Sequence, residues 1–327
     1  MNDRLNINVS LPTPPSVIRT LVAGFNLVAN HIYLILLPVT LDLFIWLFPS
    51  INVTALFSPV VESFAEFTTE LPVEASQMLN ELVANFNLTS LLRTLPIGVA
   101  SLFSAAVIHE NPLNSTNTIE VMSISQFLLG FSLFNIIGLA LGGMYYRMVS
   151  DVSVKPIRPT LLRQTWRVLL LSAGWLVFFL ALYIPISLIL LLLGFLEGFL
   201  QTVLIVILLI PMSWLLLFVY YSYYPFFMND NGVVASLKKT FHIIRYTAPT
   251  LGWFSIIALF LSQGLNYLWT SAPATSWVSL IGIFGHGFIS AGLLASSFIY
   301  FNKLSVWVDE TVLWFGKNRK PERDRTE

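Results

Sequence analysis

Six apolar runs, each long enough to cross a bilayer, constrain this chain more than any other feature. A spanning helix needs about 20 predominantly apolar residues. The runs lie near residues 28–48, 124–146, 170–193, 199–222, 250–268 and 277–301. Of the 327 residues, 56% are hydrophobic and only 10% are charged, whereas soluble domains carry about 25% charged residues. A chain with so few charges cannot cover its own surface in water. The fold class is therefore expected to be all-α, a polytopic membrane helix bundle of six spans over residues 1–316. A disordered charged tail over 317–327 follows it. The chain has no Cys, which removes disulfides, thiolate metal sites and cysteine nucleophiles together. The segment before the first run lacks the usual basic n-region and an A-x-A site, so that run reads as a retained span.

Orientation follows from the positive charges. With the N-terminus cytoplasmic, the inner segments carry Arg4, Arg19, Arg147, Lys155, Arg158, Arg163, Arg167, Lys238, Lys239, Arg245, Lys303 and all the basic residues of the tail. Only Arg93 is left outside. The reverse orientation would violate the positive-inside bias. Both termini are thus expected in the cytoplasm of a cell-membrane protein, with the loop 50–121 external. That loop carries Glu62, Glu66, Glu70, Glu74, Glu81, Glu110 and Glu120. Its most apolar part, 88–108, is interrupted by Arg93 and Pro96. As a seventh span it would invert everything downstream, so it is read as a re-entrant or surface-lying cap.

Three segments share an amphipathic pattern. Val234, Leu237, Phe241 and Ile244 recur at spacings of 3, 4 and 3, with Lys238, Lys239, His242 and Arg245 on the remainder. This predicts a helix over 233–246 lying on the cytoplasmic membrane surface, with Pro249 supplying the bend into the next span. The alternative is a plain extension of the fifth span. A nucleic-acid helix would need a denser basic patch. Ile18, Leu21, Phe25 and Val28 repeat the spacing before the first span, and Leu162, Trp166 and Leu169, with Arg163 and Arg167, lie before the third. The pairs Tyr145–Tyr146 and Tyr220–Tyr221 precede Trp166 and Phe241 by 21 and 20 residues. The register reads as three units, each an elbow helix followed by a hairpin of two spans. Shared interfacial physics without common ancestry would give the same pattern.

The stretch "YYPFFMNDNGVVASLKKTFHIIRYTAPTLGW" resembles the recurring signature of a bacterial membrane-domain family. Its members include the membrane domains fused to some glycerophosphodiester phosphodiesterases and stand-alone six-span proteins of uncharacterised function. The likeness is nearer to the stand-alone members. It implies a six-span fold, and no activity comes with it, because no phosphodiesterase domain is present.

Chemistry-bearing motifs are sparse. There is no Walker A loop and no G-x-S-x-G, and "IHEN" at 108–111 lacks the second His of a zincin motif. The four histidines, His31, His109, His242 and His286, fall at different depths, so no metal site and no cofactor are expected. Asp42, Asn135 and His286 are the candidate intramembrane polar positions. A structural hydrogen bond is the favoured reading of each. Gly138 and Gly142 in the second span, and Gly287, Ala291 and Ala295 in the sixth, are small-residue stripes for close helix packing. Pro38, Pro185 and Pro211 are expected to kink their spans. Sequons at Asn8, Asn52, Asn87 and Asn114 are too frequent to argue for glycosylation.

Two function classes remain. The first is a non-enzymatic membrane protein with an envelope, lipid-related or scaffolding role. The second is a permease for a small apolar or neutral solute, with Asp42, Asn135 and His286 lining its path. Expected partners are membrane lipids, and homo- or hetero-oligomers are compatible with the small-residue faces. Nucleic acid is not an expected partner.

Overall fold

A computed structural model describes residues 12–67, 73–94, 96–103, 111–113, 118–154, 159–194 and 198–318. Arg4, His109, Lys155, Arg158 and residues 319–327, on which parts of the topology reading depend, lie outside the described residues. The protein is an all-α membrane helix bundle. Its helices are α1 (Val17–Asn30), α2 (Leu36–Leu47), α3 (Thr54–Phe67), α4 (Val73–Ala84), α5 (Ile124–Val154), α6 (Leu161–Gly194), α7 (Phe199–Tyr221), α8 (Tyr224–Met228), α9 (Val233–Trp269) and α10 (Ser279–Asn318). Five stretches are long and apolar enough to cross a membrane, and the bent pair α1 and Ile32–Leu47 makes a sixth if counted as one span. That last run is 16 residues long, so it rises only about 24 Å, less than the ~30 Å hydrocarbon core.

Helix α10 is the axis of the bundle. Of its most apolar stretch 61% is buried, against 6% for the corresponding stretches of α6 and α7. Small residues make this possible. A Cβ on Gly24 of α1 would come within 2.6 Å of Ser296 N and 2.8 Å of Gly292 O. Gly287 lies against Val39, and Gly292 lies under the Phe25 ring. Ala291 and Ala295 are fully buried in the same row. The stripe expected in the sixth span thus seats the first span and its elbow.

The first elbow is a separate helix. Ser16 caps α1, its hydroxyl accepting from Arg19 N at 3.5 Å. The chain then breaks at His31 and turns by 97° into the first span. The apolar face read from spacing is split, however. Leu21 and Val28 pack on protein with Thr20 and Gly24, while Ile18 is 72% exposed.

The other two elbows are not separate helices. Residues 161–169 are the first turns of α6, and 233–246 are the first turns of α9, which continues through Pro249 to Trp269. At 37 residues α9 is about 55 Å long, so it projects well beyond a bilayer. Its packed face is Ser236, Thr240, Ile243, Ile244, Thr247 and Ala248, whereas Val234 and Phe241 are exposed. Thr240 donates to Tyr221 O at 3.3 Å and Thr247 to Ile243 O at 2.8 Å. Small hydroxyl residues let α9 approach its neighbours, with Thr240 and Thr247 satisfying their own donors, so the packed face is not the most hydrophobic one.

The basic residues of the second elbow are also engaged elsewhere. Arg167 bonds Asp230 at 2.5 Å and Arg163 bonds it at 3.2 Å. Arg147 donates to Pro159 O and to Gln164 Oε1. These contacts tie the end of α5, the start of α6 and the turn before α9 into one corner. Lys238 and Arg245 remain exposed, while Trp166 is exposed and Lys239 half-buried.

The long loop is structured at both ends of its described part. Strand β1 (Ser50–Asn52) pairs in parallel with β2 (Thr118–Glu120). Asn87 Oδ1 accepts from Ile51 N and Thr89 N. Asn52 and Asn87 are therefore buried structural residues.

Candidate functional site

Residues 88–103 reach deep into the bundle. A 3₁₀ turn (Leu88–Arg93) leads into irregular backbone whose Ile97, Val99, Ser101, Leu102 and Phe103 are all buried. The segment lies on the Gly138–Gly142 face of α5: a Cβ on Gly138 would stand 2.6 Å from Leu92 O, and one on Gly142 2.7 Å from Gly98 Cα. Gly142 is 18 residues into α5, about 27 Å along the helix axis. The segment is thus re-entrant, and the G-x-x-x-G face receives loop backbone where a second helix was expected. Such backbone is tolerated at membrane depth only when it is covered by protein or lines a cavity.

Asp42 holds the returning arm of this segment. It is fully buried in α2, and Oδ1 accepts from Leu102 N at 2.7 Å. The Ser101 hydroxyl and Phe103 amide approach the same carboxylate, and Arg93 supplies the nearby positive charge. Trp46, one turn on, stacks near Phe103 and donates to Ala274 O at 2.8 Å.

Beyond the tip of the segment lies a cavity of about 480 Å³. Gly98 and Ala100 form one end of it. Its back wall is Tyr145 and Tyr146 of α5 with Ser290, Leu293, Leu294 and Ser297 of α10. Helix α7 contributes Ser213, Leu216, Tyr220 and Tyr221, and α9 contributes Phe254, Ser255, Ala258, Leu259 and Ser262. The cavity runs from the core to the outer face of the bundle. Tyr145, Tyr221 and Phe254 are 1% exposed, while Leu216 and Leu259 on the rim are 62% and 58% exposed. An adjoining groove of about 440 Å³, lined by Trp214, Pro249, Gly252 and Trp253, shares Ser213, Leu217, Ser255 and Leu259 with it. Among the described residues no charged side chain and no histidine lines either space.

The aromatic pairs converge here. Tyr224 bonds Ser297 at 2.7 Å and Tyr220 at 3.0 Å, and Tyr221 bonds Ser255 at 3.0 Å. Tyr221 stacks on Phe301, and Tyr146 meets Tyr224, Phe227 and Phe298 edge-on or tilted. This aromatic lattice, with hydroxyl links, makes the closed end rigid.

The three candidate polar positions are not brought together. Asp42 anchors the re-entrant segment. Asn135 donates to Phe131 O, one turn back on its own helix. His286 bridges α10 to α9 through Asn266 Oδ1 at 3.0 Å, and Ser290 bonds its other nitrogen at 3.3 Å. None of the three lines the cavity. The tyrosine pairs, which do, entered the sequence reading only as markers of repeat register; their equal placement before Trp166 and Phe241 was the available signal.

Comparison with protein-family models, with curated proteins and with solved structures found no match.

Proposed function

We propose that this chain is a non-enzymatic multi-pass protein of the cell membrane with a lipid-related role, taking a single lipid chain laterally from the bilayer into the cavity between α7 and α9. The observation that carries this reading is the cavity itself: apolar, uncharged, and open on the face that the exposed apolar residues of α7 and α9 present to lipid. At roughly 30 Å³ for a water-sized group, 480 Å³ holds on the order of 16 such groups, one acyl or prenyl chain. The volume lies in the range of small-molecule sites. A permease using Asp42, Asn135 and His286 is less well supported, because each is committed to a separate structural bond.

Both termini are proposed to be cytoplasmic. Arg147, Arg163 and Arg167 gather at one corner with the turn before α9, and Arg93 is the one basic residue of the 50–121 loop. A reporter fused after residue 320 that works only outside the cytoplasm is expected to give no signal.

Native mass spectrometry of the protein extracted from its membrane tests the lipid reading. A retained single-chain or chain-bearing lipid is expected, lost in Leu259→Trp, which fills the mouth. Recovery of the protein without lipid in both forms would overturn it. The Ser290–His286–Asn266 chain has the order of a nucleophile, base and orienting group. Its His and Ser are one turn apart on one helix, and the set satisfies buried donors. An alkyl fluorophosphonate is expected to leave Ser290 unlabelled; labelling there would make the protein an enzyme.

A further inference from the structure

One stripe of α9 joins a cationic stretch to the mouth of the cavity. Lys238, His242, Arg245, Pro249, Gly252 and Ile256 recur at spacings of 4, 3, 4, 3 and 4, so they lie along one face of the helix. The stripe changes character along its length. Pro249, Gly252 and Ile256 line the groove that shares Ser213, Leu217, Ser255 and Leu259 with the cavity. Lys238, His242 and Arg245 stand on the same line just before it, and all three are exposed. The rise from Arg245 to Gly252, and from Lys238 to Arg245, is about 10.5 Å each.

The two cations of the stripe are not spent on the protein's own acids. Helix α9 contains no Asp or Glu, and Asp230, in the turn before it, bonds Arg163 and Arg167. Among the described residues neither Lys238 nor Arg245 forms an ion pair. Arg245 instead lies 5.8 Å over the Tyr246 ring, and His242 meets that ring edge-on at 5.4 Å. Depth matters as much as charge. The apolar run of α9 begins near residue 250, so Arg245 stands about 7.5 Å before it, where lipid headgroups lie. Trp214 and Trp253, both exposed, line the groove, and indoles favour the same boundary.

We infer that this stripe binds the phosphate headgroup of the lipid whose chain enters the cavity, with Arg245 and Lys238 pairing to the phosphate. This rests on the lateral-cavity reading and names its lipid class, a lipid phosphate. The groove carries the chain inward past Pro249 and Gly252, while the charge stays among the headgroups. The uncharged cavity wall therefore never has to strip the phosphate of water. The Arg245 guanidinium offers paired N–H donors to phosphate oxygens, and the Lys238 ammonium adds a second charge. Any basic surface attracts anionic lipid; continuity with the groove makes this a site for one molecule.

The test compares binding of tritiated hexadecyl phosphate and tritiated 1-hexadecanol to the full chain in nonionic detergent. At about pH 8 the phosphate monoester carries nearly two charges. The phosphate is expected to bind at least about tenfold tighter than the alcohol. The double variant Lys238→Gln, Arg245→Gln should lose that preference, and Arg19→Gln, exposed on α1, should keep it. Inorganic phosphate in large excess should displace neither probe, and Leu259→Trp should abolish binding of both. Equal binding of the two probes, an undiminished preference in the double variant, or its loss in Arg19→Gln would overturn the headgroup proposal and leave the cavity reading standing. Displacement of hexadecyl phosphate by inorganic phosphate would do the same, because the site would then take a soluble anion. Undiminished binding of both probes in Leu259→Trp would remove the cavity reading and this proposal together.

Discussion

The two sides of α10 are built differently. Toward α1 and α2 the contact is backbone-close, with Gly24, Gly287 and Gly292 leaving no room for a methyl group. Gly138 and Gly142 give α5 the same intimacy with the re-entrant segment. Toward α7 and the middle of α9, aromatic rings and serines line a space of about 480 Å³, while nearer its start α10 meets the end of α9 closely, Gly282 lying against the Trp269 backbone. In a bilayer there is no hydrophobic drive between helices, so close packing and hydrogen bonds must hold them. The contacts with α1 and α2, and those of Gly282 and Gly285 with Trp269, do this, which frees the stretch of α10 from Ser290 to Ser297 to border an open space. Stability and ligand space are thus carried by different stretches of one helix.

If that division is right, substitutions on the packed side should be costly and those on the open side tolerated. The largest effect is expected at Gly142→Leu. Its first new atom would meet Gly98 backbone at 2.7 Å, which no rotamer change can relieve. A loss at or above about 3 kcal/mol, the upper part of the overpacking range, should appear as loss of folded protein in size-exclusion chromatography. Asp42→Ala comes next: it leaves the buried Leu102 N–H without its acceptor, costing about 1–3 kcal/mol in thermal unfolding followed by circular dichroism. Asp42→Asn keeps an acceptor oxygen and should cost less. Equal losses for both would mean that the charge, through Arg93, carries the interaction.

Smaller effects sharpen the picture at the corner of the bundle. Arg163 is 60% exposed and shares Asp230 with Arg167, so Arg163→Ala should cost no more than about 1 kcal/mol. Arg167→Ala should cost more, since its side chain is only 9% exposed. Smallest of all should be Asn135→Ala, within about 0.5 kcal/mol, because Asn135 bonds only its own helix.

What the sequence displayed was hydrophobic length. Runs at 124–146 and 199–222 became α5 and α7 almost as read, because apolar stretches of that length have few alternatives. What it concealed was which face packs. The 3, 4, 3 spacing of Val234, Leu237, Phe241 and Ile244 is the same whether a helix lies on a membrane or projects from it. The packed face of α9 is instead marked by Ser236, Thr240 and Thr247, which a hydrophobic pattern reads as polar. Pro249 did not end the helix, since one lost backbone bond is tolerated in a span whose neighbours compensate. Gly138 and Gly142 announced a close approach, but small residues do not say whether a helix or a loop will approach. The cavity was not legible at all, because it is formed by residues from four helices and a loop far apart in sequence.

The opening of the cavity to the bilayer is the claim on which the rest depends. The chain contains no Cys, so Ala258→Cys, on the α9 wall of the cavity, offers a unique site for a nitroxide label in lipid bilayers. Power-saturation electron paramagnetic resonance should show strong collision with oxygen, which dissolves in lipid, and little with a water-soluble nickel complex. Strong collision with the nickel complex would make the space an aqueous path, and collision with neither would make it sealed; either result would contradict lateral access.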